Sequence, residues 1–203
     1  MRWKTGCIAA LMVVCGSGAN AAPAAPPVPV TAQPSWQDFN AVTTVAYRFA
    51  EYLDMRKWRE MRTIFYDTVD TDTTAIGRKT RGPVSADEHV WHVKIQETGF
   101  EGTLLMLSNP QVTIEGDRAK LVATFYGEHV AAVASGDNFY TVGGYQTFGM
   151  RRVGGRWLID SFILSPTWQK GNREIMSIGI KRGIERLTAA GDPPPPEYLT
   201  GRD

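Results

Sequence analysis

The sequence predicts an α+β domain in which a curved antiparallel sheet forms a cone around N-terminal helices and one apolar pocket. Three observations carry that prediction. Up to about residue 100 apolar residues recur mostly at helical spacing, and after Gly102 the pattern changes to alternation and stays there. Turn signals at Gly116-Asp117, Ser135-Gly136-Asp137-Asn138 and Gly154-Gly155 then separate runs of strand length. The span 36–187, roughly 150 residues, is the size of one domain with a real hydrophobic core.

The elements follow in order. Over Asp38 to Met55 the residues Phe39, Val42, Ala46, Phe49 and Leu53 share one helical face. A shorter helix carries Trp58, Met61 and Phe65 on one side. Val69 to Ile76 is threonine-rich and β-branched, so it reads as a strand ending at Gly77. Ser85 begins a third helix, with Glu88 three residues on completing a capping box. Thr103 to Ser108 and Gln111 to Glu115 are short strands, Arg118 to Ala134 and Phe139 to Val153 long ones, and Arg156 to Ser165 completes the sheet. A two-residue loop at Gly154-Gly155 pairs Val153 with Arg156 and Met150 with Ile159.

Ahead of the domain, Met1-Arg2-Trp3-Lys4 carries two positive charges, a mostly apolar run follows from Thr5 to Val14, and Ala19-Asn20-Ala21 supplies an Ala-x-Ala site. Residues 1–21 therefore read as a secretory signal peptide, its apolar run well short of the ~20 residues a spanning helix needs. A periplasmic or secreted location is expected, with no stable membrane anchor after cleavage. Cys7 and Cys15 both fall in this segment, so cleavage removes every thiol. Residues 22–35 form a Pro/Ala-rich linker, and residues 188–203, with Pro193 to Pro196, a tail expected to leave the core in extended form. Loss of Arg2 and Lys4 takes the formal charge from +1 to −1, which provides no global field for nucleic acid. The cluster Arg78-Lys79-Thr80-Arg81 reads as a solvated loop.

Several local patterns resemble one family. Tyr52-Leu53-Asp54 followed by Met55-Arg56-Lys57-Trp58, the run Thr103 to Asn109, the turn Gly116-Asp117-Arg118-Ala119 and the closing Gly155-Arg156-Trp157-Leu158-Ile159 match SnoaL-like proteins in order and spacing. These belong to the nuclear transport factor 2-like superfamily, which includes scytalone dehydratase, hexachlorocyclohexane dehydrochlorinase, polyketide cyclases and lyases acting on lignin-derived diaryl compounds. The resemblance implies a cone-shaped fold, no cofactor, and assembly into a homodimer or homotrimer. It also places a catalytic carboxylate at Asp54. One departure is plain: where the dehydratase and the dehydrochlorinase carry the histidine that pairs with the aspartate, this chain has Leu105.

The residues themselves offer further candidates. Tyr47, Ala50 and Asp54 share an edge of the first helix, where a carboxylate beside an apolar pocket is desolvated and a better base. The same aspartate also suits a cap into the second helix. Strict alternation along Leu121, Ala123, Phe125, Gly127 and His129 points His129 inward, where an imidazole can shuttle protons. A bulge at Gly127 would turn it outward. On the next strand Tyr140, Gln146 and Phe148 share the inward face, and Trp157 faces them from the last strand. Tyr140 and Gln146 are candidate hydrogen-bond donors to a ligand, and Leu105, Phe125, Phe148 and Trp157 candidate apolar walls. His89 and His92 are assigned to a solvated helix surface, and no metal site is expected. The expected function is a cofactor-independent lyase, dehydratase or isomerase using Asp54 and His129 on a small hydrophobic, aromatic molecule. Hydroxymethyl removal from a diaryl compound fits by analogy; a non-catalytic binding or assembly module is the alternative.

Overall fold

A computed structural model describes residues 33–76 and 81–199. The signal segment, most of the linker and Arg78 to Thr80 lie outside them. Among the described residues no helix is long and apolar enough to cross a membrane.

Helix α1 (Trp36–Asp54) is capped by Ser35, whose hydroxyl accepts from the Asp38 N–H at 3.1 Å. Its buried stripe, Val42, Val45, Ala46, Phe49 and Leu53, faces the sheet and forms the centre of the main core. Helix α2 (Trp58–Arg62) is one turn shorter than the sequence suggests, and Phe65 opens strand β1 (Phe65–Asp72) instead of closing a helix. A single 3-10 turn, Thr74–Ile76, follows, so the strand expected over 69–76 begins and ends four residues earlier. Strand β2 (Arg81–Ser85) pairs with β1, and Arg81, expected in a solvated loop, is its first residue. Helix α3 (Ala86–Thr98) begins at the expected cap, with the Ser85 hydroxyl accepting from the Glu88 N–H.

Strands β3 (Gly102–Glu115), β4 (Arg118–Val130), β5 (Phe139–Val153) and β6 (Arg156–Gly171) form the meander. The two short strands expected before Gly116 are one strand, kinked where Asn109 adopts a φ of 51° and the register with β4 shifts. Gly154 and Gly155 both have positive φ, the conformation a two-residue hairpin demands, and the pairs Val153–Arg156 and Met150–Ile159 form as expected. The β4–β5 ladder is continuous from Arg118 to Val130, so Gly127 makes no bulge. The six strands run in the order β2-β1-β6-β5-β4-β3, an open curved sheet. One detail differs from an all-antiparallel sheet: β1 lies parallel to β6, because α1 and α2 deliver the chain to the far edge before the meander starts.

The C-terminal part differs most from expectation. Helix α4 (Glu174–Ala189) packs on α3 through Ile175, Gly179, Gly183 and Leu187. The approach is close: a Cβ at Gly183 would meet the Ile95 carbonyl oxygen, and one at Gly99 the Gly179 carbonyl oxygen, both at 1.7 Å. Residues beyond α4 do not leave the domain as far as position 199. Pro194 is buried, Lys94 binds Asp192 at 2.5 Å, and the Tyr198 ring lies 6.2 Å from that of His92. Proline removes a helical donor but not apolar surface, so a proline-rich end can still pack on the domain, as this one does through Asp192 and Tyr198 on α3.

Candidate active site

A chamber of about 120 Å³ opens between α1, α3 and the inward face of the sheet. Its construction starts on α3. His89, Val93 and Gln96 recur at helical spacing, with His92 and Glu97 beside them, and all five line the chamber. The other side of the helix, through Ile95 and Gly99, is taken by α4. Burial on both sides explains why His89 and His92 are 5% and 7% exposed, which corrects their assignment to a solvated surface.

At one end of the chamber, Glu97 of α3 meets His129 of β4. Glu97 is 3% exposed; its Oε2 lies 3.9 Å from His129 Nε2, and its Oε1 accepts from Gln96 Nε2 at 3.0 Å. His129 is flanked by the Phe100 ring at 4.9 Å and the Tyr140 ring at 6.3 Å. In register, Thr103 and Tyr140 lie directly across from it on β3 and β5. The Thr103 hydroxyl is buried, and among the described residues no group lies within hydrogen-bond reach of it. The Tyr140 hydroxyl donates to Gln169 Oε1 at 2.7 Å. Burial holds its phenol above the ordinary value, against the pull of Arg173, so it stays protonated at neutral pH.

The backbone that carries Glu97 is pinned from two sides. Arg56, in the left-handed region with φ 54°, donates to the carbonyls of Glu97 and Phe100 at 2.9 and 3.2 Å. Arg186 of α4 donates to those of Thr98 and Phe100 at 2.9 and 3.2 Å. Cations at a helix C-terminus both satisfy its last carbonyls and oppose its dipole.

His89 sits further along α3, its ring 4.9 Å from Phe65 and 5.0 Å from Phe162. His92 Nε2 lies 3.8 Å from Glu88 Oε1. Among the described residues no three histidines, cysteines or carboxylates converge as metal ligands.

Of the residues picked from sequence, His129, Leu105, Phe125, Tyr140 and Gln146 line this one chamber. Asp54 is not among the lining groups, although its neighbour Leu53 is. Its Oδ2 accepts from the Leu105 N–H at 2.9 Å, while Oδ1 is buried with no hydrogen-bond partner among the described residues. Asp54 thus ties α1 to β3, and the structure does not bring it together with His129. Tyr47 is 43% exposed and away from the chamber. Phe148 packs in the core against Phe49 and Phe162 with centroids 5.7 Å away in each case, and Trp157 lies buried under the Arg152 guanidinium. Both inward faces were read correctly, but these two rings sit at the α1 end, where the sheet is filled. The sequence reading passed over Glu97, His89, His92, Thr103 and Arg173 as site residues. The helical spacing of His89, Val93 and Gln96 was the available signal.

Helices packed on one face of an open curved sheet, enclosing a largely apolar chamber with a carboxylate facing an imidazole at one end, define a class of small α+β pocket proteins. Within that class the chain belongs to the SnoaL-like domain family, which residues 34–163 match. No curated protein matches it in sequence. Solved structures share the fold. Kfla4162 protein from Kribbella flavida is 20% identical, with 70% of this chain and 97% of that one covered and a TM-score of 0.64. A putative scytalone dehydratase from Novosphingobium aromaticivorans is 16% identical, with 67% and 88% covered and a TM-score of 0.58. Hexachlorocyclohexane dehydrochlorinase LinA-type3 from Novosphingobium barchaimii is 10% identical, with 67% and 90% covered and a TM-score of 0.57.

Proposed function

We propose that the protein is a cofactor-independent lyase that eliminates a small leaving group from a single-ring substrate by acid–base chemistry. The observation that carries this reading is the buried Glu97 carboxylate facing the His129 imidazole inside a chamber whose surface is mostly apolar. Withdrawing two ionisable groups from water is costly, and such pairs concentrate at functional sites.

In this mechanism the imidazole takes a proton from a carbon next to a carbonyl. The C–H electron pair becomes the new C=C bond as the bond from the neighbouring carbon to its hydroxyl breaks. The imidazolium returns the proton to the departing oxygen, so the balance is loss of one water. Glu97 holds the imidazole in orientation and stabilises its charged form. Thr103, directly across from His129, offers a hydroxyl to the leaving oxygen. Size favours one ring: the chamber of about 120 Å³ compares with cavities of roughly 150 Å³ that hold benzene. A diaryl substrate would leave its second ring at the mouth.

The test uses 3-hydroxycyclohexanone, which carries both an acidic C–H and a leaving hydroxyl. Formation of the conjugated enone is followed by ultraviolet absorbance. Glu97→Gln and His129→Gln are each expected to lower the rate by about 10²-fold, the lower range for a lost acid–base group. A wild-type rate equal to buffer for this and related cyclic β-hydroxy and β-halo ketones would overturn the reading, as would variants as fast as wild type. The alternative, a binding module, predicts ligand capture without turnover.

A further inference from the structure

The chamber's two ends are chemically different, and the far end bears on which ring enters. Gln146 of β5 lies six residues beyond Tyr140, roughly 20 Å of strand at ~3.4 Å per residue. Its partners in register are Ala123 and Leu164, and around it the chamber is lined by Phe49, Phe125 and Phe162. The residue is 2% exposed, and among the described residues no group lies within hydrogen-bond reach of its Oε1. A buried carboxamide with an unmatched oxygen is costly in such surroundings, and a ligand group that satisfied it would gain accordingly.

We propose that Gln146 determines specificity by reading a neutral hydroxyl at the inner end of a single-ring ligand, so that the chamber selects phenols or cyclic alcohols over unsubstituted rings. The inference rests on the reading that the chamber receives such a ring, but not on its being turned over. A hydroxyl is the matching group because it both donates and accepts. It therefore satisfies the carboxamide whichever way the amide is turned. A carbonyl could only accept. A charged group would have to be stripped of water among phenyl rings, which costs far more than burying a neutral hydroxyl.

Binding of phenol, cyclohexanol and toluene is measured by calorimetric titration of the wild type, Gln146→Leu and Glu97→Gln proteins. Phenol sheds hydration from its hydroxyl on entering, so without a partner it must bind more weakly than toluene, and the order of the two affinities is diagnostic. The wild type is expected to bind phenol at least as tightly as toluene. Gln146→Leu should weaken phenol about tenfold relative to toluene, and Gln146→Met should do the same if the leucine variant does not fold. Glu97→Gln should keep the wild-type order, whether or not any substrate is turned over. A parallel loss with cyclohexanol shows that any neutral hydroxyl suffices; a loss confined to phenol narrows the class to phenols. Toluene preferred by the wild type, or a phenol-to-toluene ratio unmoved by both Gln146 variants, would overturn the proposal.

Discussion

Gly183→Ala tests how the chamber is closed. In an exposed helix this exchange stabilises by about 1 kcal/mol, because alanine is the better helix former. At position 183 the new methyl carbon would sit 1.7 Å from the Ile95 carbonyl oxygen and 2.8 Å from its carbonyl carbon, where ordinary contact begins at 3.4 Å. Both obstacles are backbone of α3, so no side chain can swing aside, and α4 must retreat by more than an ångström. Overpacking costs about 1–3 kcal/mol, and a contact with rigid backbone belongs at the top of that range. Subtracting the helix gain leaves a net loss of about 2 kcal/mol. For a domain of this size that lowers the unfolding midpoint by about 4–8 °C. Thermal unfolding by circular dichroism measures it. Because α4 brings Met176 to the chamber, ligand affinity should fall as well. A midpoint unchanged or raised would refute the close crossing of the two helices.

Asp54 supplies a contrast with Glu97. Asp54→Asn keeps an acceptor for the Leu105 N–H and should leave stability and turnover of the cyclic β-hydroxy ketone unchanged. Asp54→Ala strands that N–H and should cost about 1–2 kcal/mol in denaturant unfolding. Arg56→Ala removes two bonds from a charged donor to the end of α3 and should destabilise by about 2 kcal/mol, with the amides of 97–100 losing protection in hydrogen exchange. For Glu101, burial favours the neutral acid but is outweighed by the Ala132 N–H and by Arg186 and Arg182, which together hold its carboxyl below 4.5. A depressed carboxylate contributes stability that is present above the unfolded value and lost as the pH falls through the folded one. Glu101→Gln should therefore flatten the loss of stability below about pH 4.5, measured as midpoint against pH.

The meander was legible because hairpin chemistry is local. Two glycines at positive φ set the β5–β6 register near their turn, and unbroken alternation set β4 against β5. The pairing of β1 with β6 joins residues that are more than 90 positions apart and leaves no local signature. Helix α4 was missed for a different reason. Its buried stripe is Ile175, Gly179, Gly183 and Leu187, so half of the residues that make the contact have no side chain to register as apolar. Glycine is also a poor helix former, and the close crossing that requires it exists only in the folded state. Missing α4 led directly to placing His89 and His92 on a wet surface.

The site was half legible for a related reason. Alternation places a strand residue on a face, so His129, Tyr140 and Gln146 were found. Which end of that face is filled depends on the helices against it, so Phe148 and Trp157, equally inward, are core. Asp54 follows from the departure at Leu105. A leucine there offers the carboxylate only its backbone N–H, and Asp54 accepts that bond at 2.9 Å instead of orienting an imidazole. Elsewhere in the chamber Glu97 from α3 stands 3.9 Å from His129 of β4, with arginines on both sides holding the helix end, and the proposed mechanism has that carboxylate orient the imidazole. Removal of either half should therefore be equivalent. If Glu97→Gln and His129→Gln each slow turnover about 10²-fold, the double variant should be no slower than the slower single, because one group without the other no longer works as an acid–base unit. Strictly multiplicative losses would mean that the two act independently and that proximity alone joins them.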